Sequence, residues 1–138
     1  MFAKTDLKKD AFMLNGSFAK EGYDWWWHSF SAINDQTGEE RSFFIEYFMC
    51  NPGLGKGEPV LGQEPNNLLT GKQPSYFMIK AGWWGEDARQ LHRYFSWDDV
   101  DLHRSAPYSI CAKDCSADEY ELKGSVNISE RDAEEHPE

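Results

Sequence analysis

Asp24-Trp25-Trp26-Trp27-His28, continuing through Ser29-Phe30-Ser31-Ala32-Ile33, places three consecutive tryptophans in a run free of glycine and proline. Aromatic side chains suit a pleated, half-buried surface, so residues 23–33 are expected to form a strand. Alternation then puts Asp24, Trp26, His28, Phe30 and Ala32 on one face, and Trp25, Trp27, Ser29, Ser31 and Ile33 on the other. Tryptophan on both faces means that both are covered, one by core and the other by a second layer, a loop or a bound partner. Asp24 and His28 lie ~13 Å apart along the backbone, too far to bond each other but able to touch one ligand.

Outward from this run, Asn34-Asp35-Gln36-Thr37-Gly38-Glu39-Glu40 has the composition of a turn. Arg41-Ser42-Phe43-Phe44-Ile45-Glu46-Tyr47-Phe48-Met49-Cys50 reads as the return strand of a hairpin. Residues 51–74 contain Pro52, Pro59, Pro65, Pro74 and five glycines, and are expected to hold neither a central strand nor a regular helix. They suit a lid over a barrel mouth or a surface loop. Strands are expected again over 75–84, 90–97, 107–112 and 119–128. In the last, Tyr120, Leu122, Gly124, Val126 and Ile128 alternate with polar positions. Residues 97–103 are read as strand followed by turn, in preference to a short helix capped by Ser96. An N-terminal arm, 1–22, includes a short strand over 11–19, and 129–138 is a polar tail. About seven strands without a long helix point to an all-β, antiparallel barrel or barrel-like sandwich over 23–128.

The chain has 138 residues, enough for one domain with a core of its own. With 14 basic and 24 acidic residues it carries a net charge of −10, which repels phosphate backbones and anionic lipid surfaces and argues against nucleic acid as a partner. Cys50, Cys111 and Cys115 make an odd number, unsuited to a closed disulfide framework. No stretch reads as a signal peptide or reaches membrane-spanning length, so a cytoplasmic location is expected. Cys111-x-x-x-Cys115 has no second ligand pair, and Gly53-Leu54-Gly55-Lys56-Gly57 lacks the ending of a phosphate-binding loop. Neither a metal nor a cofactor is expected.

Three residues could donate a proton inside an apolar pocket: Asp24 and His28 on the tryptophan strand, and Glu46 between Phe44 and Phe48. Glu46 would otherwise pair with an arginine such as Arg93 or Arg41. Trp26, Phe44, Trp83, Trp84 and His92 are candidate ligand contacts, and Tyr47, Tyr76 and Tyr94 could supply orienting hydroxyls. Core packing is the competing reading for the aromatics. For His28 it is a bond to neighbouring backbone.

The acid-led tryptophan strand, the hairpin to Phe43-Phe44-Ile45-Glu46-Tyr47-Phe48, Asn51-Pro52, and Tyr76-Phe77-Met78-Ile79-Lys80 before Trp83-Trp84 resemble, in that order, the N-terminal half of lipocalin-like proteins related to tocopherol cyclase and carotenoid hydratase. The resemblance covers roughly 20–130. It implies a calycin-type barrel around an apolar cavity, and chemistry that protonates a double bond of a lipid- or isoprenoid-like substrate. It also implies a second, similar domain, to which the polar tail would be a linker. No catalytic residue carries over from it. Three functions follow as expectations: acid-assisted cyclisation, hydration or isomerisation; non-catalytic sequestration of an apolar ligand; or a carbohydrate-binding sandwich with Trp83 and Trp84 as its platform.

Overall fold

A computed structural model describes residues 13–14, 18, 21–62, 64–103 and 109–126. Among the described residues, eight strands form two four-stranded sheets. The first has the order β1 (Tyr23–Ile33), β2 (Glu40–Cys50), β3 (Tyr76–Trp83), β4 (Arg89–Phe95). The second has the order β5 (Val100–His103), β6 (Ser109–Ala112), β7 (Cys115–Ala117), β8 (Leu122–Lys123). Each strand neighbours the next in sequence, the order of an antiparallel meander. The all-β class read from the sequence is therefore present.

The described residues fall into two compact units. One takes its residues from Met1–Asp24, Met49–Phe77 and Tyr94–Ser125, the other from Trp25–Phe48, Met78–Arg93 and Val126–Glu138. In the second unit the β1–β2 hairpin turns where its composition says it should. The Asn34 carboxamide oxygen accepts from the N–H groups of Gln36 and Thr37 at 2.9 and 3.1 Å, and Gly38 supplies a positive φ of 73°. Trp26, Phe44, Tyr47, Met78 and Ile79 are buried there.

In the first unit, Phe77, Met49, Phe95, Ile110, Ala112, Cys115 and Ala117 are buried. β5, β6, β7 and β8 pair antiparallel, with Leu102 opposite Ile110, Cys111 opposite Ser116, and Ala117 opposite Leu122. Alternation along β6 buries Ile110 and Ala112 and leaves Ser109 and Cys111 exposed. A two-residue turn joins β6 to β7 with Lys113 at φ 55°.

The Pro- and Gly-rich stretch is held at its ends. Asn51, at φ 47°, donates from its carboxamide to the Pro74 carbonyl at 2.7 Å and accepts from the Gly22 N–H at 2.7 Å. The Ser75 hydroxyl donates to the Asn51 carbonyl at 3.0 Å, and the Trp97 indole N–H donates to Ser75 Oγ at 3.0 Å. Gly55 lies against Trp97 so closely that a Cβ there would fall inside the indole. The stretch also carries a helix, α1 (Pro65–Thr70), where none is expected. Proline at the first helical position lacks only an N–H that would have no helical partner, and Gly71 closes the helix in the left-handed conformation.

Two other segments depart from the sequence reading. Residues 97–103 are not strand followed by turn. Ser96 caps a 3₁₀ turn, Trp97–Asp99, accepting from the Asp98 N–H at 3.4 Å, and β5 follows. Residues 119–126 do not form the described part of one alternating strand. Asp118 accepts from the N–H groups of Tyr120 and Glu121 at 2.7 and 2.9 Å, which bends the chain and leaves Tyr120 87% exposed. The short strands β7 and β8 lie on either side of that bend. Of the expected strand over 11–19, Met13, Leu14 and Phe18 are described, and none is in a strand. Ile128, the arm's first residues and the polar tail lie outside the described residues.

Candidate functional site: an aromatic sheet face with an ion pair

Alternation along the four strands of the first sheet sorts the second unit's side chains into two sets. On one face Trp27 stacks on Phe44, centroids 4.8 Å apart and planes 6° from parallel. Trp84, which follows β3, leans on both, 5.1 Å from Phe44 and 6.2 Å from Trp27. Trp25 stacks on Phe48 at 6.5 Å, and Ser31 and Ser42 share a hydrogen bond of 3.2 Å on the same face. Phe44 is buried, but Trp25, Trp27 and Trp84 remain 49%, 44% and 46% exposed. Three indoles left half in solvent form an apolar surface of the kind that marks binding.

One charged pair sits in this surface. Lys80, from the middle of β3, places its ammonium 3.8 Å from Glu46 Oε2 and 5.6 Å above the Phe44 ring. Both side chains are mostly covered, at 22% and 13% exposure. The ring's negative face and the carboxylate both favour the cation there. The partner of Glu46 is thus Lys80 and not an arginine. Arg41 is engaged elsewhere, 3.0 Å from both Glu39 and Asp87. His92, on β4, has its pKa lowered by partial burial and by the charge of Lys80.

The opposite face of the unit holds other predicted residues. Trp26 is buried, and His28 meets Tyr47 edge-on at 6.4 Å. Phe30 stacks on Phe43 at 5.6 Å. Trp83 donates from its indole to the Asp87 carbonyl at 2.9 Å and lies beneath the Arg41 guanidinium. Trp83 and Trp84 therefore point to opposite faces, as consecutive strand residues do. A cleft of about 440 Å³ at this end is lined by Ala32, Asn34, Glu39, Arg41, Phe43 and Trp83.

The remaining predicted residues belong to the first unit. Asp24 accepts from the Met13 N–H at 2.8 Å. Tyr76 and Tyr94 meet edge-on at 5.5 Å, and burial raises the Tyr94 pKa. Of the three proposed proton donors, then, Glu46 adjoins the exposed aromatic face, and His28 lies on the reverse of the sheet. Phe44, Trp84 and His92 are predicted contacts on the Glu46 side. Lys80, Trp25, Trp27 and Phe48 were not singled out by sequence reasoning. The signal for the tryptophans was present in their two-faced distribution, whereas Lys80 depends on strand register.

Among the described residues no group of three histidine, cysteine or acidic side chains could hold a metal ion, and no helix is long and apolar enough to cross a membrane. No disulfide joins the three cysteines: Cys115 is buried, Cys50 is half-buried with its thiol pKa raised by burial, and Cys111 is exposed. No protein family, curated protein or solved structure matches the chain.

Proposed function

We propose that this chain binds an apolar small molecule of the lipid or isoprenoid kind against the face formed by Trp25, Trp27, Phe44, Phe48 and Trp84, with Lys80 and Glu46 as its polar contacts. The observation that carries this reading is the exposure of three indoles on one sheet face, two of them packed on the buried Phe44 ring. Indole is costly to leave in water, and a flat unsaturated skeleton would cover it with close contact. The tilt of about 40° between Trp27 and Trp84 differs from the coplanar platform a sugar-binding sandwich would present. A calycin-type barrel belongs to the same proposal, supported by the meander order within each sheet. Acid-assisted cyclisation, hydration or isomerisation belongs to it as well, at the Lys80–Glu46 pair that borders the aromatic face. Three cysteines outside any disulfide support a reducing compartment, the cytoplasm.

Native mass spectrometry of freshly purified protein, followed by organic extraction, tests the reading. It predicts a bound species lost on extraction, and lower occupancy in Trp27→Ala. A wild-type chain that never carries an apolar molecule, even after incubation with isoprenoid alcohols, would overturn it.

A further inference from the structure

We propose that Lys80 captures an aldehyde at the end of an apolar, conjugated ligand as an imine, with Glu46 as its counter-ion. This rests on the binding face proposed above and names the ligand's reactive end. Lys80 is the single lysine in β1, β2, β3 and β4. Its side chain is largely covered, at 22% exposure. The amine lies over Phe44, which stacks on Trp27 and touches Trp84. A chain of conjugated carbons lying along these rings would bring its end group to Nζ.

Charge selects the end group. A carboxylate would meet Glu46, 3.8 Å from Nζ, and the net charge of −10 beyond it. An ammonium would meet Lys80 itself. A carbonyl is neutral and its oxygen accepts a hydrogen bond from the lysine.

In the reaction, the Lys80 ammonium releases a proton to water. The nitrogen lone pair attacks the aldehyde carbon, and the carbonyl oxygen takes up a proton to give a carbinolamine. Loss of water forms the carbon–nitrogen double bond. The sum is ammonium plus aldehyde giving iminium plus water, with nothing oxidised or reduced. Positive charge stays at the same nitrogen, so Glu46 and the Phe44 face balance the product as they balance the free lysine.

The test compares retinal with retinol, which has the same skeleton without the carbonyl, on the full chain. Each is titrated against tryptophan fluorescence, then treated with cyanoborohydride and mapped by peptide mass. Both ligands should quench, and retinal alone should leave a fixed adduct on the peptide containing Lys80. Lys80→Arg should lose that adduct, whatever its affinity for retinol. Glu46→Gln should shift the imine absorption at neutral pH from the protonated band to the shorter-wavelength unprotonated one. Quenching by both ligands with no adduct on Lys80, or with total labelling unchanged in Lys80→Arg, would remove the imine and leave the binding face standing. Absence of quenching by either would remove both.

Discussion

His92 is where a single residue should be felt most clearly in solution. Partial burial and the Lys80 charge lower its pKa in the folded chain. The unfolded chain, with an ordinary histidine near 6.5, therefore takes up a proton more readily than the folded one. Its effect on stability is nil well above that value and unfavourable as pH falls through it. His92→Gln should leave Tm unchanged near pH 8 and make the decline toward pH 5 shallower than in wild type. Parallel melting curves across that range would show that the Lys80 side of the sheet does not bear on His92. Gly82 makes a steric point at the same scale. A Cβ there would overlap the Arg89 carbonyl and lie 2.9 Å from the Phe44 ring, so the ring beneath the lysine is seated by the absence of a side chain.

Among the elements, the 51–74 excursion depends most on a few side chains. Asn51 ties Gly22 to Pro74 and holds a positive φ that asparagine tolerates better than most residues. Asn51→Ala should cost about 2–3 kcal/mol, from two lost part-buried hydrogen bonds and added backbone strain. The cost should appear in denaturant midpoints and as faster proteolysis within 51–74. A loss below ~0.5 kcal/mol, inside the range of ordinary surface changes, would show that the excursion does not need this tie.

The elements also show what the sequence makes legible. The four strands of the first sheet were readable within about two residues, because aromatic alternation and glycine- and asparagine-rich turns mark them without reference to the rest of the fold. Helix α1 was hidden by composition, since four prolines dominate the reading of 51–74. Yet Pro65 and Gly71 occupy the positions at which those residues mark helix ends. The bend at Asp118 was hidden because Tyr120 and Leu122 keep a two-residue period while the Asp118 side chain turns the backbone. The site was half legible. Alternation placed Trp25 and Trp27 on a common face and Glu46 between Phe44 and Phe48. The pairing of Glu46 with Lys80 required the register between β2 and β3, which no single strand encodes.

At the scale of the whole chain, a net charge of −10 and a patch of exposed indoles act on different partners. The charge keeps polyanions away, and the patch offers apolar contact that salt does not screen. Titration of the intrinsic fluorescence with retinol, in wild type and Trp27→Ala at low and high salt, separates the two. Saturable quenching that persists in salt and weakens about tenfold or more in Trp27→Ala is the predicted result, ~1.4 kcal/mol or more for one stacking ring. Quenching that never saturates, or that is identical in Trp27→Ala, would contradict a binding site on this face.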